Sequence, residues 1–419
     1  MGSLVGYRCS LCRTEFDPQQ VTYTCPNDGG NLDILLDYHA LRQSTRPGEI
    51  GRSREESIWR YLPLLPVEDP GHQGSALRAA GWTPLLSPRR LAEGLGLDHL
   101  WVKDDGRNPT ASFKDRACAV AVARAQAIGA GTIVTASTGN AGAALAGMAA
   151  AAGLPAVILA PRTAPPAKVA QLLIFGARVL LVEGTYDQAF DLTLQAAESF
   201  GWYCRNTGYN PFTAEGKKTA AFEVCEQLTR VLGGAAEERW EAPDVVVVSV
   251  GDGNIISGLH KGFRDLRELG WIEGMPRLIG VQATGSAAIA NAFARGTEEI
   301  IPVHADTLAD SISVDLPRDG VRAVRAARES GGTVLTVEDS DILAAIRTLG
   351  AAAIFAEPAA ATGYAGLKAA VERGLISAGE KVVLMSTGSG LKDVRAAMQA
   401  AGEARVIEPT LVALRAALA

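Results

Sequence analysis

A chain of 419 residues with 47% hydrophobic and 21% charged side chains has the balance of a soluble globular protein of two or three domains. Its formal net charge of −6 leaves no basic footprint for nucleic acid, and no polybasic run addresses an anionic membrane surface. Six cysteines are too few for a disulfide framework, and the start "MGSLVGYRCSLC" lacks the charged flank and apolar core of a signal peptide; a reducing cytoplasm is the expected setting.

The first forty residues are Cys-bearing and turn-rich, with Cys9-x-x-Cys12 followed by Cys25-Pro26-Asn27-Asp28. Residues 41–80 carry Pro47, Pro63, Pro66 and Pro70 and are expected to wrap over the main body. From about residue 82 the pattern becomes regular. Short β-branched runs predict strands over 132–136, 156–160, 178–182, 244–250, 278–283 and 381–386. Most are apolar without alternation, as in strands buried on both faces of a parallel sheet. Helical patterns occupy 112–129, 140–152, 185–200, 213–232, 254–269, 339–351 and 358–374. Alternating strands and helices predict an α/β fold with doubly wound open sheets. No charged side chain occurs from Ala125 to Pro161, yet Gly139, Gly142, Gly153 and Pro155 punctuate the stretch. It reads as strand, turn, buried helix and strand, not as a membrane span.

In open parallel sheets, ligands bind beyond the carboxyl ends of the strands. Three loops there, and one lysine, draw attention. "ASTGNAG" (136–142) opens a helix with small and hydroxyl residues, an N-terminus suited to a carboxylate, although capping alone explains its composition. "SVGDGNIISG" (249–258) lets backbone amides approach a phosphate, but it matches neither the Walker spacing nor the dinucleotide fingerprint. "STGSGLKD" (386–393) ends the last predicted strand with the Thr387 hydroxyl. Lys114 sits in "NPTASFKDRA" at the mouth of an Ala-rich helix.

One ligand uses all four features: pyridoxal phosphate. Lys114 supplies an amine for its aldehyde, and Gly251, Asp252, Gly253, Asn254 and Ile255 a cradle for its phosphate. Asn140 can donate to the phenolic oxygen, and Thr387 can meet the ring nitrogen without holding it protonated.

The motifs "NPTASFKDR", "STGNAG", "VGDGNIISG", "ADSISVDLPRDG", "AEPAAA" and "STGSGLKD", in this order, resemble the threonine synthase branch of the fold type II pyridoxal-phosphate enzymes. The resemblance spans about residues 5 to 400. It implies a large coenzyme-binding α/β domain (41–115 and 206–405), a small α/β domain (116–205), a zinc-ribbon-like N-terminal subdomain (1–40) and a C-terminal tail (406–419). It implies Lys114 as coenzyme carrier and base, Phe113 beside it, and Asn140, the 251–255 turn and Thr387 on the coenzyme. Ser137, Thr138, Gly139 and Ala141 would hold the substrate carboxylate. The implied reaction turns O-phospho-L-homoserine and water into L-threonine and phosphate, in a homodimer. For the leaving phosphate the candidates are Arg107, Lys103, Arg116, Lys217 and Lys218, with Ser112 nearby; each is more readily read as a surface or salt-bridge residue, and "GKKTAAFE" (216–223), with Lys217 and Lys218, is the most suggestive.

Departures from the family pattern leave other readings open. Ala111 and Ala117 replace glycines of the lysine motif, Ser389 stands where histidine is frequent, and Ala360 where glycine is usual. Such changes fit a relative acting by β-replacement or β-elimination on O-phosphoserine, as cysteate synthase does, or a non-catalytic homologue. The zinc ligands of relatives map to Cys9, Cys12, Cys25 and Asp28. Three cysteines and an aspartate lie outside the usual structural donor sets, which favours a ribbon that has lost its metal and kept its turns. His39 stands too far along the chain to replace the missing cysteine.

Overall fold

Among the described residues the strands form three sheets. The computed structural model describes residues 4–419 except Thr138, Pro165, Ala235, Ala236 and the side chain of Ala167. Strands β1 (Leu4–Cys9), β2 (Glu15–Phe16) and β3 (Leu32–Leu36) make an antiparallel ribbon in the order β2-β1-β3. The short β4 (Leu85–Leu86) and β5 (His99–Asp104) follow. A four-stranded parallel sheet contains β6 (Ile133–Ala136), β7 (Ala156–Pro161), β8 (Arg178–Val182) and β9 (Tyr203–Cys204), in the order β8-β7-β6-β9. β10 (Val245–Ser249), β11 (Arg277–Ala283), β12 (Thr333–Val337) and β13 (Lys381–Ser386) complete a six-stranded sheet, β12-β11-β10-β13-β5-β4, antiparallel only at β4.

The apolar runs are strands because both of their faces are covered. Val246, Val248, Val383 and Met385 enter one core, with Phe222, Leu259 and Phe263 of helices Phe212–Val231 and Asn254–Glu268. Val245, Val247, Val382 and Leu384 enter another, with Ile342 and Leu367 of helices Asp339–Ala351 and Pro358–Glu372. Successive residues of a strand point to opposite faces, so an unbroken valine run feeds two cores at once. The uncharged stretch resolves into β6, helix Asn140–Ala151 and β7, and no helix among the described residues is long and apolar enough to cross a membrane.

Two differences from expectation have physical causes. "RVLLV" is not buried on both faces: β8 is a sheet edge, and Leu180 and Leu181 are about half exposed. Strands β5 and β12 escape the apolar-run criterion. β5 ends in Lys103 and Asp104, and β12 places threonines at its first and fourth positions.

The strand orders reverse at two places. In the small sheet β7 and β8 lie on one side of β6 and β9 on the other. In the large sheet β11 and β12 lie on one side of β10 and β13 on the other. Loops leaving neighbouring strands diverge at such switch points and leave a crevice. Those loops begin at 137, 205, 250 and 387.

Candidate active site

Helix Lys114–Ala127 starts where the chain leaves β5 and passes a turn around Ala111. The turn is pinned to the end of β13: Phe113 N donates to Thr387 O at 2.9 Å, Ser389 N donates to Ala111 O at 3.1 Å, and Ser112 bridges Gly388. Phe113 is fully buried under the Arg116 guanidinium, 5.5 Å from the ring centre. These ties fix the first residue of the helix. Lys114 lines two adjoining cavities, of about 390 Å³ and about 40 Å³.

The sequence contains nine lysines, and Lys114 alone has no hydrogen-bond or ion-pair partner among the described residues. Burial pushes its ammonium below the ordinary lysine range; the charge of Arg205 adds to this, and Glu357 and Asp252 oppose it. An enclosed, unpaired amine is a candidate nucleophile and base.

The smaller cavity is walled by Gly251, Asp252, Gly253, Asn254, Ile255, Lys217, Glu357 and Thr387. Gly253 has φ +91°, and an added Cβ would meet Ala323 Cβ at 2.7 Å, so glycine is required by the close pass of the 319–323 segment. The turn opens helix Asn254–Glu268, whose first amides have no intrahelical acceptor. Lys217 is fully buried, its ammonium donates to Asn254 Oδ1, and Asn254 Nδ2 donates to Asp319 Oδ2 at 2.7 Å. Burial and the charges of Arg205 and Lys114 push Lys217 well below the ordinary range. The Thr387 hydroxyl lies 3.5 Å from Ser249 Oγ.

The larger cavity is lined by Ser137, Gly139, Asn140, Ala141 and Thr207, facing Ser311 and Ser313. Thr138 lies outside the described residues. Asn140 Nδ2 donates to both Glu357 oxygens, at 2.8 and 2.9 Å. Ser112 is buried with its hydroxyl unpartnered, and it lines neither cavity. The remaining cationic candidates lie elsewhere. Lys103 and Arg116 are fully buried against Glu223 and Asp105, Lys218 pairs with Glu215 and Asp265, and Arg107 is exposed. Ala111, Ala117, Ala360 and Ser389, the departures from the family pattern, are not among the residues that line either cavity.

Three features were not legible as site residues. Arg205 and Asn206 are buried and line neither cavity, and Arg205 Nη2 and Asn206 Nδ2 have no partner among the described residues. Both precede Thr207, whose hydroxyl accepts from Arg205 Nη1 at 2.8 Å and which lines both cavities. Glu357 is the third. The sequence signals were the polar "RNT" directly after β9 and the acid within "AEPAAA".

In the ribbon, one donor atom from each of Cys9, Cys12, Cys25 and Asp28 lies within 4.8 Å of the others. The Cys12 and Cys25 sulfurs are 3.7 Å apart, and Cys9 Sγ is 3.3 and 3.6 Å from the Asp28 oxygens. His39 is not part of this group.

A twice-reversed α/β fold with an unpaired lysine at the shared crevice is the arrangement of a coenzyme-carrying enzyme. Residues 76–388 match the family model of pyridoxal-phosphate dependent enzymes. The chain belongs to that family. It is 38% identical over 404 residues to a threonine synthase of Methanocaldococcus jannaschii, covering 96% of both chains. It is 37% identical over 414 residues to one of Methanosarcina acetivorans, covering 98% of both. Among solved structures it resembles the processed form of threonine deaminase isoform 2 from Solanum lycopersicum, with a TM-score of 0.65, 22% identity, and coverage of 82% of this chain and 88% of that one.

Proposed function

We propose that this chain is a pyridoxal-phosphate lyase that converts O-phospho-L-homoserine and water into L-threonine and phosphate. The observation that carries this reading is the amine of Lys114, unpaired among the described residues, between two cavities, one bounded by a glycine turn and the other by Ser137, Gly139, Asn140 and Ala141. The residues fit the coenzyme. The free amides at 253–255 and the Lys217 ammonium suit its phosphate, Asn140 its phenolic oxygen and Thr387 its ring nitrogen. Bound there, the coenzyme supplies an electron sink for charge developing next to the substrate amine. On this reading Lys217 serves the coenzyme phosphate, because its ammonium is spent on the turn.

The rest is the work of side chains. The 137–141 loop holds the substrate carboxylate at a helix N-terminus. Lys114 removes the Cα proton and then one from Cβ, phosphate leaves Cγ with the electron pair of the C–O bond, and, with water adding at Cβ, the amine returns one proton to Cγ and one to Cα. Burial lowers its basicity, which favours the neutral amine this work needs. The Thr207 hydroxyl, which lines both cavities and accepts from the buried Arg205 behind it, offers a contact for the phosphate carried by the substrate. A Thr387 hydroxyl at the ring nitrogen, unlike a carboxylate, would not hold the pyridine protonated, so the electron sink would be a milder one.

In the ribbon we propose a zinc ion held by Cys9, Cys12, Cys25 and Asp28, on the strength of their mutual distances. Domain boundaries at residues 40, 115, 205 and 405 and assembly as a homodimer belong to the same reading.

The test supplies O-phospho-L-homoserine and O-phospho-L-serine in parallel and measures phosphate release and the amino-acid product. Threonine from the first substrate supports the proposal. Turnover of phosphoserine alone transfers the chain to the β-replacement reading. Lys114→Ala must stay colourless with coenzyme and show no borohydride-fixed adduct.

A further inference from the structure

Glu357 is 3% exposed and stands at the N-terminus of helix Pro358–Glu372, yet its carboxylate does not cap that helix. Acids at such positions ordinarily bond the first free amides. This one is turned away and takes its hydrogen bonds from Asn140, 217 positions distant in the chain. The backbone holds it in that pose. Glu357 N donates to Gly388 O at 3.0 Å, Ala356 bridges Ser389, and an added Cβ at Gly388 would collide with the carboxylate. The fold therefore keeps residue 388 without a side chain where the acid passes.

The bond geometry fixes the amide. Both carboxylate oxygens sit at nearly equal distance, 2.8 and 2.9 Å, from a single nitrogen. Two oxygens on one carbon subtend a narrow angle at that nitrogen, whereas the two N–H bonds of an amide diverge by about 120°. One N–H is thus shared between both oxygens, and the second is left free. Burial pushes the Glu357 carboxyl above its ordinary range, and the Asn140 hydrogen bond and the nearby lysines oppose this; in its ionised form the carboxylate only accepts, so that form decides which end of the Asn140 amide faces it. The same cleft holds Lys114 and Thr387, and the charged groups bearing on Glu357 are Lys114, Lys392 and Lys168.

We propose that Glu357 is a positioning residue that locks the orientation of Asn140, so that the second amide N–H is presented to the phenolic oxygen of the coenzyme. This rests on the coenzyme reading above and extends it to a residue that need not touch the ring. Without the carboxylate the amide can turn its carbonyl to either side, and the donated bond is lost for part of the population. Donation to a phenolate stabilises the charged form, so its loss moves the pH midpoint of the visible band of the lysine-linked coenzyme. Removal of the Glu357 charge moves the same midpoint by a separate route, and the test has to part the two.

The experiment uses coenzyme-loaded full-length chain with Glu357→Gln and Glu357→Leu, each with Asn140 and with Asn140→Ala. Both substitutions remove the charge, but only Gln keeps an oxygen for the amide. Loading is read by borohydride reduction and intact mass, and the midpoint by absorbance against pH. With Asn140 present, Glu357→Leu and Glu357→Gln are expected to differ by about one pH unit. With Asn140→Ala they are expected to coincide. Equal midpoints in both backgrounds, or the same difference in both, overturn the positioning role. Glu357→Ala provides the same comparison if leucine overfills the site. A parent chain that takes up no coenzyme overturns the underlying function and this role with it; a loaded parent with coincident variants overturns only the role.

Discussion

Removing the Asp28 carboxylate tests whether the N-terminal ribbon is a metal site. Zinc bonds thiolate sulfur at about 2.3 Å and carboxylate oxygen at about 2.0–2.2 Å. In a tetrahedron those lengths put two sulfurs about 3.8 Å apart and a sulfur and an oxygen about 3.5 Å apart. The chain has 3.7 Å between Cys12 and Cys25, and 3.3 and 3.6 Å between Cys9 and the Asp28 oxygens. The Leu11 amide donates to Cys9 Sγ at 3.3 Å and the Gly30 amide to Asp28 Oδ1 at 2.8 Å, so the donors are oriented by backbone. A Cβ at Gly30 would meet Cys9 Sγ at 2.7 Å, which leaves glycine as the residue that closes the loop. The parent chain, purified with zinc and dialysed, is expected to retain about one ion, measured by atomic emission. Asp28→Ala should lose it with affinity reduced more than about 100-fold, beyond what loss of an outer hydrogen-bond partner costs. Asp28→Cys should retain it. At free zinc a thousand times the dissociation constant, binding stabilises the fold by about 4 kcal/mol, which a chelator should remove from the parent and not from Asp28→Ala. A zinc-free parent, or equal retention by parent and Asp28→Ala, refutes the geometric reasoning.

Three further outcomes follow from other parts of the chain. Ala111 has φ +65°, a left-handed conformation that costs a side-chain-bearing residue roughly 1–2 kcal/mol. Ala111→Gly should raise stability in urea unfolding by a few tenths to about 1 kcal/mol, the strain relief less the added freedom of the unfolded chain; a loss would contradict it. Burial opposes ionisation of Glu223, but Arg116 and Lys103 hold its carboxyl down at about 2 against an ordinary 4.5. The stabilisation is present above pH 4.5 and lost as pH falls toward 2, on the order of 3 kcal/mol, so the melting temperature should drop across that window and less so in Glu223→Gln. Lys217→Met should weaken coenzyme retention at least about tenfold by loss of a charge-assisted phosphate contact, read by dialysis and absorbance, while leaving the Lys114 adduct in the bound fraction.

How much of this was legible in the sequence depends on whether a feature is local. The 251–255 turn is written in consecutive residues, as is the lysine motif; the turn falls between a strand and a helix that the alternation places, and the motif opens a helix. Lys103 is different. Its charge at the end of "HLWVKD" hid β5, yet the side chain is fully buried because Glu223, 120 positions later, meets it at 2.7 Å. β8 has the composition of an interior strand and lies at an edge, because strand order is a property of the assembled sheet. Glu357, Arg205 and Asn206 could not be read as site residues, since what marks them is a partner far away or a partner missing.

The same contrast explains why Lys114 is left free in a chain that pairs its other enclosed lysines. Lys218 meets Glu215 and Asp265, Lys261 meets Asp265, and Lys103 meets Glu223. Carboxylates also stand near Lys114, namely Glu357 and Asp252, but each is engaged elsewhere. Glu357 accepts from Asn140, and Asp252 Oδ1 accepts from the Arg318 amide at 3.2 Å. An ion pair would hold the ammonium protonated and out of reach, whereas an empty site would leave its protonation to burial alone. Two acids at a distance, each held by another donor, counter the desolvation without capturing the amine. The two sheet reversals bring Asp252 and Asn140 to one crevice and the end of β13 brings Glu357, so the acids that surround Lys114 are placed by topology and not by its sequence neighbours.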